Sequence, residues 1–169
     1  MECRNLLDEA LEAWEYTRAG VVAELENIPS DKMDFSPAPG ARTVTELVLH
    51  IVGSGQMMAG ELSNPAGDFT RQSFAEHVQE HAGPLPRSAT QAELLNLLRS
   101  TGEEGRQKIQ ATGELAMLQH IRRFDGKLST RLAWMNHGIA HEEHHRGQLA
   151  HWARALGEVP ALTKRIHGE

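Results

Sequence analysis

The chain has a single cysteine, Cys3, among 169 residues, so no intramolecular disulfide holds it together and nothing in it calls for an oxidising compartment. It lacks any window approaching about 18 consecutive apolar residues, which excludes a helical membrane span. It also lacks an excess of positive charge: a net charge of -6 argues against a phosphate-backbone partner, so neither nucleic acid nor a membrane is expected to bind. The N-terminal stretch interleaves Glu2, Asp8, Glu9 and Glu12 with its apolar residues, the wrong pattern for a signal peptide, and a reduced, cytoplasmic setting is the expectation. No segment alternates with period two over a useful length, and there is no internal repeat or second domain. What is present is 40% hydrophobic residues, enough for one all-α domain spanning residues 1–169 to bury a core without staples.

Helical periodicity organises the rest. From Asn5 to Ile28, Leu7, Leu11, Trp14, Val21, Leu25 and Ile28 recur at steps of three and four, interrupted by Arg18, and predict a first amphipathic helix. The prolines and glycine of Phe35–Gly40 make a loop. Thr43 with Glu46 three residues on forms a capping box for a second helix carrying Val44, Leu47, Val48, Ile51 and Met58 on one side, weakened by Gly53, Gly55 and Gly60. Residues 63–89 read as a long crossover in which Thr70 to His81 has the makings of a short helix. A second box, Thr90 with Glu93, opens a third helix through Leu94, Leu97, Leu98, Gly105 and Ile109, which frays at Gly113. Arg122 to Lys127 is turn chemistry. Ser129 or Thr130 then caps a last helix that Gly157 ends. Four such helices joined by a long connection imply a four-helix bundle.

Ten histidines are many for this length, and four of them fall between His137 and His145. Spaced at about 100° per residue, Trp134, Gly138, His141, His145, Leu149, Trp152 and Leu156 share the core-facing sector of the last helix, with Arg146 and Arg154 away from it. Side chains four apart have Cβ atoms about 5–6 Å apart, so the His141 and His145 imidazoles can converge on one ion. His50, beside Leu47 and Ile51, can project into the seam between helices, although a lone histidine there reads better as a hydrogen-bonded core residue. Spacing alone leaves a metal site and satisfied core histidines both open.

The same residues spell a rival. His141-Glu142-Glu143-His144-His145 satisfies H-E-x-x-H, the zinc-protease pattern in which the glutamate is general base, and His151 falls where its extended form wants a third ligand. That extension needs a helix-breaking glycine at 148, where Gln148 stands, and the wheel turns Glu142 about 80° away from the midpoint of the two histidines.

Two segments carry a family resemblance. Asn136-His137-Gly138-Ile139-Ala140-His141-Glu142-Glu143-His144-His145-Arg146-Gly147-Gln148-Leu149 resembles the H-x-x-x-H-R-G-Q signature of the DinB/YfiT-like superfamily, and Phe35–Gly40 running into Thr43–His50 is similar to that family's loop and ligand-bearing second helix. The resemblance implies an up-down-down-up four-helix bundle, with a long crossover between its second and third helices, in which His50, His141 and His145 hold one divalent metal, zinc or nickel. His137, His144 and His151 would then be solvated or would support the ligands from behind. Relatives of this kind include transferases and isomerases that use low-molecular-weight thiols such as bacillithiol, mycothiol or glutathione, so the resemblance implies a metal-dependent thiol S-transferase or hydrolase, and it favours a homodimer. The competing expectation is a noncatalytic metal-binding, stress-response or dimerisation module. Glu46, Tyr16 and Asp34 are the candidate bases, each on sequence grounds alone.

Overall fold

The computed structural model describes residues 5–168, and Cys3 lies outside them. Helix α1 spans Leu6–Asn27, opened by Asn5, whose side-chain oxygen accepts the Asp8 N–H at 2.9 Å. Helix α2 spans Val44–Ser63 and starts at the expected box: Thr43 accepts the Glu46 N–H while the Glu46 carboxylate takes the Thr43 N–H at 2.8 Å. The crossover, residues 64–90, contains helix α3, Phe74–Ala82, which begins later than Thr70 because Ser73 and Glu76 form a further capping box there. Helix α4, Gln91–Thr112, runs from the Thr90–Glu93 box to Gly113, which stops it at φ +80°.

A short turn of helix, α5, Glu114–Met117, leads into a small antiparallel hairpin of β1, His120–Arg122, and β2, Leu128–Thr130. The turn expected at Arg122 to Lys127 is the tip of this hairpin. Its strands are too short for alternation to register in the sequence. Thr130 caps helix α6, Arg131–Ala155, by accepting the Ala133 N–H, and a last helix, α7, Ala161–His167, follows the Gly157 stop. Arg131 closes the far end of α2, donating to the carbonyls of Leu62 at 2.7 Å and Asn64 at 2.8 Å, so the first residue of one long helix caps the last turn of another.

The apolar core falls into two clusters, and their order along each helix gives the topology. One gathers Val21, Leu25, Val44, Leu47, Leu98, Leu149 and Trp152; the other gathers Leu7, Leu11, Met57, Leu62, Ile109, Leu132 and Met135. α1 and α6 pass from the second cluster to the first, α2 and α4 from the first to the second, which is the up-down-down-up arrangement. Between the clusters, Thr17, Arg18, Ser54, Gln56, Glu142, His145 and Arg146 form a belt of buried polar groups at the waist of the bundle. Arg146 corrects the helical wheel. It is only 6% exposed, packed where Gly20 on α1 leaves room for its guanidinium, 5.5 Å over the Tyr16 ring and 2.8 Å from Glu143.

Candidate metal centre

The waist of the bundle brings His50 of α2 against His141 and His145 of α6. His50 Nε2 lies 3.2 Å from His141 Nε2, and His145 Nε2 lies 3.0 Å from the same atom. The three rings meet edge to face, with centroids 4.4 to 5.1 Å apart. Two nitrogens each about 2.1 Å from a common ion stand about 3 to 3.4 Å apart at bond angles from right-angled to tetrahedral, so these separations fit three imidazoles facing one divalent cation.

The surroundings keep the rings neutral and aimed. The Gln148 carbonyl oxygen accepts the Nδ1–H of His145 at 2.7 Å, which leaves the Nε2 lone pair of that ring free for the cluster. Burial pushes the His50 imidazole down to about 3, with the Arg42 guanidinium and the other two rings adding to the effect. Burial and the neighbouring histidines push His141 down to about 4, and burial lowers His145 too. Neutral, convergent imidazoles are the protonation state a metal requires. His145 is buried while His50 and His141 are half-buried, so one side of the cluster faces outward beside Phe74, whose ring centroid is 6.0 Å from that of His50.

Glu142 faces the other way. It is 3% exposed and turned onto α1, where Arg18 donates to both of its oxygens, one of them from Nη2 at 2.9 Å, and Trp14 Nε1 donates at 3.0 Å. A carboxylate with both oxygens taken by a guanidinium is not the free base that the H-E-x-x-H reading needs. His151 is exposed, as are His137, stacked 4.3 Å from Trp134, and His144. Glu46 spends its carboxylate on the Thr43 cap, Tyr16 lies under Arg146 and Arg165, and Asp34 is exposed. The Arg18–Glu142 pair is not among the expectations from sequence, although a charged residue breaking the apolar stripe of α1 is its visible trace.

A second convergence, Glu61, His77 and His81, ties the crossover to α2. Burial raises the Glu61 carboxyl, but Arg71, the Asp68 N–H and His81 outweigh it and hold the group down to about 2. Arg71 binds both of its oxygens, at 2.9 Å and 2.6 Å, and His81 Nε2 stands 2.8 Å away. A carboxylate satisfied by a guanidinium has little left for a cation, and the cluster reads as the anchor of α3.

Known proteins fix the context of this geometry. The DinB-like protein YjoA of Bacillus subtilis superposes with a TM-score of 0.68 at 21% identity, covering 88% of this chain and 92% of that one. YfiT of Bacillus subtilis, described as a probable metal-dependent hydrolase with an unusual four-helix bundle topology, superposes with a TM-score of 0.70 at 16% identity, covering 93% and 91%. A mycothiol-dependent maleylpyruvate isomerase superposes with a TM-score of 0.65 at 13% identity, covering 85% of this chain but 60% of its own. At such identities these likenesses speak to the fold. No curated protein matches the chain. The model of the DinB superfamily matches residues 13–149, most of the chain, and the protein belongs to that superfamily.

Proposed function

We propose that His50, His141 and His145 hold one divalent ion, zinc or nickel, and that the protein is a metal-dependent thiol S-transferase or hydrolase. The observation that carries this reading is the convergence of three neutral Nε2 atoms, from two helices, at separations of 3.0 and 3.2 Å. Three neutral imidazoles suit either metal, and a ligand set without carboxylate or thiolate leaves the ion more Lewis-acidic than an anionic set would. Bound there, the ion supplies the power to lower the pKa of a thiol or water.

The chain's own residues do the remaining work. Gln148 fixes the His145 tautomer, the buried pair of Arg18 and Glu142 braces α6 against α1 behind the ligands, and Phe74 walls the outward side. Two similar structures, one described as a probable metal-dependent hydrolase and one as a mycothiol-dependent isomerase, lend support to both halves of the proposal.

The test is the metal content of untagged protein, wild type against His50→Ala and His145→Ala. One equivalent in the wild type, lost in both variants, is expected, and thiol cosubstrates are then screened against electrophiles. Metal that persists without His50 but disappears without His145 would overturn the ligand set.

A further inference from the structure

Beside the histidine cluster lies a cavity of about 300 Å³ that the chemistry above leaves unused. Its walls are nearly all apolar, with Trp14, Met57, Met58, Ile109 and Met135 among them, and His141 belongs to the same wall. Phe74 and Phe124 also line it; they are 41% and 39% exposed, their ring centroids 6.1 Å apart, and so they flank an entrance between the crossover and the hairpin tip.

Two buried polar groups of the lining have no partner among the described residues. Ser54 is 7% exposed with its hydroxyl unbonded, and the Trp134 indole N–H is likewise buried and unbonded. Such groups cost free energy unless something pairs with them, so a ligand that carries a hydrogen-bond acceptor into an otherwise apolar space fits this lining. Charge is unwelcome there. The one carboxylate in the wall, Glu142, is already neutralised by Arg18, and away from the His141 end an ion brought into this apolar cavity sheds its hydration without a counter-charge. A cavity of about 150 Å³ takes a benzene ring, so twice that space takes one ring with a short substituent, or a branched chain of like bulk.

We propose that this cavity binds the substrate of the centre, and that the substrate is a small uncharged molecule, mostly apolar, with one carbonyl or hydroxyl group that Ser54 and Trp134 engage. The molecule's role as substrate rests on the metal-dependent reading; its binding does not.

Titration calorimetry with acetophenone, a neutral aromatic ketone, tests it on chelator-treated and on zinc-loaded protein, with benzoate as the charged probe of the same bulk. Saturable one-to-one binding of acetophenone is expected, with benzoate at least about tenfold weaker on the chelator-treated protein. Ser54→Ala should weaken the ketone about fivefold to tenfold through the lost hydrogen bond. Met58→Trp, which fills the space, should abolish binding while leaving metal content intact, and circular dichroism confirms that each variant is folded. His50→Ala should do the reverse, losing metal and keeping the ketone. No binding to folded wild type, equal binding of benzoate by the chelator-treated protein, or indifference to both Ser54→Ala and Met58→Trp overturns the cavity assignment and leaves the metal site standing. Ketone binding by wild-type protein that takes up no metal would instead sink the metal reading alone.

Discussion

Gln148 does its work through one atom. By accepting the Nδ1–H of His145 it selects the tautomer that presents Nε2, so Gln148→Leu should lower metal affinity by about tenfold to a hundredfold, measured by competition with a chromophoric chelator. Unchanged affinity would show that packing alone orients the ring. The imidazoles also make an acid-sensitive element of the metal-free protein. His50 and His141 titrate at about 3 and about 4 when folded, against an ordinary value of 6.5. Between those values the unfolded chain binds more protons, so the contribution of these rings is complete above about pH 6.5 and is lost as the pH falls toward 3. The Tm of metal-free protein should therefore drop between pH 6.5 and 4.5, above the range in which Glu61 protonates, and the drop should flatten in a His50→Ala, His141→Ala double variant.

At the scale of the helices, α1 and α6 are joined by an ion pair inside the waist of the bundle. Removing one partner strands the other, so Arg18→Met or Glu142→Leu alone should cost about 3–5 kcal/mol in chemical denaturation, whereas the two together should restore much of that loss. A double variant as unstable as the sum of the singles would refute the pairing. This pair also marks the limit of what local sequence patterns reveal. Arg18 stands out as a break in the stripe of α1, but its partner is 124 residues away, and no local pattern links them. The capping boxes of α2 and α4 are legible because both partners of each bond sit three residues apart. Ser73 and Glu76 carry the same signal, and it places the start of α3 four residues beyond Thr70, whereas three-residue strands carry too little period to be seen. Of the candidate site, the i, i+4 pair on α6 is visible as spacing; that His50 reaches it depends on how α2 and α6 cross, which the family resemblance supplies and local periodicity does not.

For the molecule as a whole, an ion held between α2 and α6 should act as a cross-brace. Zinc at about a hundred times its dissociation constant should add about 2.7 kcal/mol, or roughly 5–10 °C in Tm for a chain of this size, and His145→Ala should abolish the shift. The far end of the chain is braced differently. The buried Glu24 carboxylate on α1 accepts the first N–H groups of α7, from Ala161 at 2.9 Å and Leu162 at 3.1 Å, while Asn27 is held by Val159 and Lys164. Anyone shortening the protein at Gly157, where the sequence invites a cut, would strip from that acid both of its N–H donors and the helix packed beside it; a fusion partner belongs after His167.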